Sequence, residues 1–256
     1  MTHASNLSGP RPGRDGPASE STQRPGVGAR ALLLDVGAVV TRTLFESHRD
    51  TEQVLGLPAG TLTWLGPIDP STDALWRRML AGEITERNYW EQRAKEVGTL
   101  LGERWQPVDL FRRARHPEPD RSVRPEAVAA VDAARAAGAR VGVLSNELEL
   151  FLGKAFAEGA TLLRAMDAVV DGTHTRILKP DVRAYAHATE ALGVPAARTV
   201  FVDDQPRNVE GARAAGLQAV WFDVRDPCGS FEAALRSLDA MSAAGPARPP
   251  TDRGAP

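Results

Sequence analysis

An α/β fold, with a parallel sheet covered on both faces by helices, is what this 256-residue sequence predicts, and three features predict it. Short apolar runs such as Leu32-Leu33-Leu34, Val141-Gly142-Val143-Leu144 and Val200-Phe201-Val202 fit strands buried on both faces. From Pro125 onward such runs alternate with stretches of helical period, the order that right-handed crossovers turn into a parallel sheet. Three of the runs end on polar side chains, at Asp35, at Ser145-Asn146 and at Asp203-Asp204. In sheets of this kind a ligand binds beyond the carboxyl ends of the strands.

Taken in order, residues 1–29 are rich in Ser, Gly, Pro, Arg and Thr and nearly free of large apolar side chains. Burial cannot offset the entropy of ordering such a stretch, so a disordered tail is expected. Residues 243–256, interrupted by Pro246, Pro249, Pro250 and Gly254, lead to the same expectation. After the strand that ends on Asp35, residues 43–119 read as a helical insert. Its helices are expected over 46–55, over 73–80 with Ser71 as N-cap, from Glu86 with Thr85 as N-cap, and over 108–115. Gly82 and Gly98 stand where C-caps belong. Trp64, Trp76, Trp90 and Trp105 all fall in this block and are expected to fill its core, or in one case to line a substrate pocket.

Pro125 suits the first turn of a helix that Gly138 stops. A strand over 141–144, a helix over 148–158 and a short strand over 168–170 follow. A helix over 182–192 stops at Gly193, and the strand over 199–202 ends on the two aspartates. A helix over 207–215, a strand over 219–222 and a helix over 231–241 close the fold. The expected core is therefore 30–42 together with 120–242. No internal repeat is visible.

A hydrophobic content of 42% supports a real core, and a net charge of -2 points to neither nucleic acid nor an anionic membrane surface as partner. Arg77-Arg78 and Arg112-Arg113 fit the solvated faces of helices. The single cysteine, Cys228, excludes an intramolecular disulfide and a cysteine-ligated metal cluster. No apolar run is long enough to span a bilayer, and the N-terminus lacks the apolar core of a secretory signal, so a cytoplasmic location is expected.

An apolar run that stops on Asp35 delivers one carboxylate to the sheet edge, and Asp35 is the candidate nucleophile. A carboxylate attacking an anionic group needs that charge neutralised. Asp35, Asp204 and Asp203, directly or through water, could hold Mg²⁺, which suits a few carboxylates plus substrate oxygens. Ser145, Asn146 and Lys179 could donate hydrogen bonds or positive charge to the oxygens of that anionic group.

Asp35-Val36-Gly37, Ser145-Asn146, Lys179-Pro180 and the run from Phe201 to Ala212, in this order, resemble the motifs of the haloacid dehalogenase-like hydrolases. The resemblance implies a Rossmann-like three-layer core with an inserted helical cap, and a phosphatase that works through an aspartyl-phosphate on Asp35. It makes Lys179 the catalytic partner of Asp35 and adds the carbonyl of Gly37 to the Mg²⁺ ligands. A small phosphorylated metabolite is the implied substrate, with a monomer or homodimer as the assembly.

One position departs from that pattern. The phosphatases of the family usually carry a second aspartate two residues after the nucleophile, as general acid and base, and here that residue is Gly37. Substrates whose leaving groups need little protonation, such as sugar 1-phosphates or acyl phosphates, are then favoured. Glu46 and His48 are the candidates to fill the role. Two other readings are a 2-haloacid dehalogenase, against which Gly37 and the paired aspartates argue, and a non-catalytic phosphate-binding or regulatory protein.

Overall fold

The computed structural model describes residues 29–243, so the predicted tails lie outside the described residues apart from Ala29 and Ala243. Five parallel strands form one sheet in the order β3-β2-β1-β4-β5. They are β1 (Ala31–Leu34), β2 (Arg140–Ser145), β3 (Ala168–Asp171), β4 (Thr199–Asp203) and β5 (Gln218–Trp221). Period-2 alternation splits the core as side chains of one strand point to opposite faces. Leu32 and Leu34 pack on one face with Val131, Phe231 and Leu238, from helices α5 (Pro125–Ala136) and α12 (Pro227–Ala243). Leu33 packs on the other with Tyr185, Leu192 and Ala212, from α10 (Val182–Leu192) and α11 (Pro206–Ala214).

Register then sets the level at which polar residues leave the sheet. Leu34 lies opposite Val143 on β2 and Val202 on β4. Asp35 and Asp203 therefore emerge one residue beyond that level and Ser145 two residues beyond it.

Between β1 and β2 the chain builds α1 (His48–Leu55), α2 (Ala74–Leu80), α3 (Glu86–Leu100) and α4 (Pro107–Arg113) around their own apolar cluster. Trp64 and Trp105 are buried there, and Trp76 and Trp90 pack against it half-buried. Thr85 caps α3 as predicted, in a reciprocal box with Asn88. Ser71 does not cap α2. Asp73 does, because its buried carboxylate also receives Tyr89 Oη at 2.7 Å and Arg93 Nη2 at 2.5 Å, and Ser71 is itself capped by Asp69. Gly98 does not end α3 but lies inside it, where a Cβ would come within 2.9 Å of the Glu103 carbonyl and of Trp105. The predicted helix over 148–158 is two, α6 (Leu148–Leu152) and α7 (Lys154–Gly159), broken at Gly153, whose φ is +84°. The short helices α8 (Thr161–Arg164) and α9 (Gly172–Thr175) flank β3.

The two connections between insert and core pair with each other. Arg42 N donates to Ser122 O at 2.9 Å and Arg124 N to Val40 O at 2.8 Å. The insert also docks on the core through α4 and α6, where Phe111 meets Phe151 edge-on at 5.2 Å and Arg112 Nε donates to Leu150 O at 2.8 Å.

Candidate active site

Asp35 follows β1 in extended conformation, and its N–H continues the ladder to Val202 O at 2.9 Å. The chain then turns sharply: Thr41 N bonds Val36 O at 2.9 Å, and Ala38 adopts a φ of +62°. Arg124 holds this turn, donating to Ala38 O at 2.9 Å. Arg124 also grips Glu46 with contacts of 2.6 and 2.8 Å, and Glu46 receives the Thr43 N–H and hydroxyl. Burial raises the Glu46 carboxyl, but Arg124 and Thr43 outweigh it and keep its pKa below the ordinary value. His48 is buried inside the insert with its ring 4.4 Å from that of Trp64. Glu46 is thus committed to Arg124, while His48 is packed within the insert.

Lys179 is 4% exposed and joins three chain segments. Its Nζ lies 2.5 Å from Asp35 Oδ1 and 2.7 Å from Asp203 Oδ2. Burial works against this ammonium, yet the two carboxylates prevail and raise its pKa. Asn146 positions the lysine: Lys179 N donates to Asn146 Oδ1 at 2.6 Å, and Asn146 Nδ2 donates to Lys179 O at 3.1 Å. The Asn146 amide is therefore bound to the Lys179 backbone at both ends, while Ser145 presents a hydroxyl with no hydrogen bond among the described residues.

The two aspartates after β4 differ. Asp203 is fully buried and receives Gln205 N at 2.8 Å, Asn208 Nδ2 at 3.0 and 3.1 Å, and Lys179. Asp204 is half-buried and has no donor on its carboxylate among the described residues; its carbonyl accepts Trp221 Nε1 at 2.9 Å. Carboxylate oxygens of Asp35, Asp203 and Asp204 lie within 4.8 Å of one another. Burial, with Lys179 opposing and Asp203 adding, pushes the Asp35 carboxyl up to about 6. Burial and the charges of Asp35 and Asp203 raise Asp204 well above the ordinary value. A hard cation with oxygen preference fits these donors and relieves that repulsion. Gly211 closes the arrangement from below, since a Cβ there would come within 2.8 Å of the Pro180 carbonyl next to Lys179.

Gly37 is exposed with an ordinary φ of -65°, and a Cβ built on it meets only Asp35 Oδ2, at 3.7 Å. The residue is a glycine without steric need. Sequence reasoning missed Arg124, whose guanidinium reaches back 86 residues to Ala38. A groove of about 310 Å³ runs along the β3 edge beside His174 and His187, and none of the Asp35 cluster lines it.

A parallel sheet that gathers a buried aspartate, its lysine and an acidic pair at one edge, with helices inserted after the first strand, defines a class of hydrolase. The profile of haloacid dehalogenase-like hydrolases matches residues 43–216, and the chain belongs to that family. Among relatives, a phosphoserine phosphatase of Thermus thermophilus is 30% identical over 208 residues, 76% of this chain and 82% of that one. A phosphatase of Mycobacterium tuberculosis is 39% identical over 99 residues, which are 39% of this chain and 46% of that protein, so the matched segment spans less than half of its length. An L-2-haloacid dehalogenase structure superposes with a TM-score of 0.51 at 21% identity, over 82% of this chain and 99% of the other, a likeness of fold. Among the described residues no helix is long and apolar enough to cross a membrane.

Proposed function

We propose that the protein is a magnesium-dependent phosphatase of small, cytoplasmic phosphorylated metabolites, working through a phosphoryl group carried on Asp35. The observation that carries this reading is the convergence of Lys179, 2.5 Å from Asp35, with the carboxylates of Asp203 and Asp204 at the same sheet edge. An Asp35 oxygen attacks phosphorus, the bond to the leaving oxygen breaks with its electron pair, and water later cleaves the acyl phosphate. Ser145 donates to a phosphoryl oxygen, and Lys179 keeps Asp35 oriented and offsets the developing negative charge. Asn146 acts through the Lys179 backbone. Asp203 anchors the ammonium. A magnesium ion held by Asp35, Asp204 and the Gly37 carbonyl would supply the remaining neutralisation of phosphoryl charge.

Gly37 provides no proton for the leaving oxygen, and Glu46 is held ionised by Arg124. The substrates favoured are therefore those whose leaving group departs without protonation, acyl phosphates or sugar 1-phosphates. The helices of residues 43–119 act as a cap that excludes water and selects the substrate. Rapid quench of the enzyme with acetyl phosphate and Mg²⁺, followed by peptide mass mapping, tests this. Phosphoryl mass on the peptide that contains Asp35 is expected. A labelled peptide from elsewhere, or none during steady-state phosphate release, overturns the assignment.

A further inference from the structure

Between the two connections that join the insert to the core lies a small cationic cavity that the proposed chemistry does not use. It measures about 10 Å³, room for one water-sized guest, and Arg42, Asp50, Arg115, His116 and Arg121 line it. Arg115 brings a buried Nε without a partner. Its one hydrogen bond among the described residues runs from Nη1 to Arg42 O at 3.2 Å. Burial and the neighbouring Arg42 pull its pKa down to about 10, as expected of a cation that lacks a counter-charge.

The local charges do not balance. Asp50 is shared, 3.1 Å from Arg42 Nη2 and 3.8 Å from Arg121 Nη2. Glu46, the nearest further carboxylate to act on Arg115, is committed to Arg124. Three guanidinium groups thus face one carboxylate. His116 adds a donor conflict: Nδ1 receives the Glu118 N–H at 3.1 Å while Nε2 lies 3.0 Å from Arg121 Nη1. A neutral imidazole has one acceptor nitrogen, so one of these contacts sets N–H against N–H. A water molecule would bring a dipole but no charge, and the buried Arg115 Nε would still face no anion.

We propose that this cavity is a halide site whose occupant is chloride, bound by Arg115 with Arg42, Arg121 and His116. Arg121 keeps the site open to solvent, and a space this small suits a single-atom anion better than phosphate or a carboxylate. Arg42 belongs to the first connection and Arg115, His116 and Arg121 to the second, so a bound chloride pins the two together and stiffens the attachment of the insert.

The test is thermal unfolding of the full chain, with chloride exchanged for gluconate at constant ionic strength and without added phosphate. The melting temperature should rise saturably with chloride, by about 3–6 °C at ten times the Kd, and bromide should act likewise. Arg115→Leu should melt at one temperature in both salts. A wild-type crystal soaked in bromide provides a measurement independent of that variant's folding, and an anomalous peak beside Arg115 Nε is expected. Identical melting of the wild type in chloride and gluconate overturns the proposal. So does bromide found only elsewhere, including beside Asp35 and Lys179.

Discussion

Lys179 Nζ stands 2.5 Å from Asp35 Oδ1, and the two residues, 144 positions apart in sequence, are both nearly sealed from solvent. This contact holds the proposed nucleophile ionisable in a place where burial alone would keep it protonated, with Asp203 supplying the second anchor for the ammonium. Removing the lysine leaves two carboxylates without a counter-charge. Breaking a buried pair in this way costs about 3–5 kcal/mol. Lys179→Met should therefore lower the unfolding free energy by that amount and abolish phosphate release, as urea titration and a phosphate assay will show. A variant as stable and as active as the wild type contradicts the assigned role.

The Asp35 carboxyl, pushed from 3.8 up to about 6, gives a stability signature with a definite sign. Between those values the folded chain keeps a proton that the unfolded chain has released. The stabilising contribution of this group is complete below 3.8 and is lost as pH rises through about 6. With chelator present, the wild type should thus lose stability relative to Asp35→Asn between about pH 4 and pH 7. Denaturant midpoints of both proteins across that range provide the check, and a constant difference is the contrary result.

Gly37 leaves space for a side chain, since its φ is ordinary and a Cβ touches only Asp35 Oδ2 at 3.7 Å. Gly37→Asp should fold, and it places a carboxyl beside Asp35 to serve as general acid in the proposed reaction. A positioned general acid is worth about 10²–10⁴ in rate. Turnover of alkyl phosphates should rise by a factor in that range, while acyl phosphates change little. Equal effects on both classes would show that protonation of the leaving group is not what the wild type lacks.

Glu46→Gln separates a positioning role from a catalytic one. The Arg124 guanidinium, buried at 2% side-chain exposure, loses its carboxylate partner, so the melting temperature should fall. Both limbs of the pH profile of kcat/KM should stay in place. A lost limb would make Glu46 the general acid or base.

The sequence disclosed the strand ends because buried parallel strands leave a plain record: an apolar run, then the polar residue that escapes the sheet. Asp35, Ser145, Asp203 and Asp204 were legible on that ground, and register alone puts Asp35 level with Asp203 and Ser145 one residue further out. The partners of these residues were not. Asn146 resembles a ligand donor in sequence, yet its amide exchanges two hydrogen bonds with the Lys179 backbone 33 residues away. Asp73 replaces Ser71 as the α2 cap only because Tyr89 and Arg93 come to it from 16 and 20 residues downstream. Gly98 looks like a helix stop until the chain folds back and lays Trp105 against it. Local pattern reports what a residue offers, whereas long-range packing decides what it is bound to.

The central claim is that Asp35 carries out phosphoryl transfer with a divalent cation. Phosphate release from a panel of acyl phosphates and sugar phosphates, measured with Mg²⁺ and with EDTA for the wild type and Asp35→Asn, tests it most directly. Release that requires Mg²⁺ and disappears in Asp35→Asn is the predicted result. Release that persists in that variant, or halide liberated from a 2-haloacid in EDTA with no phosphate released from any compound, contradicts it.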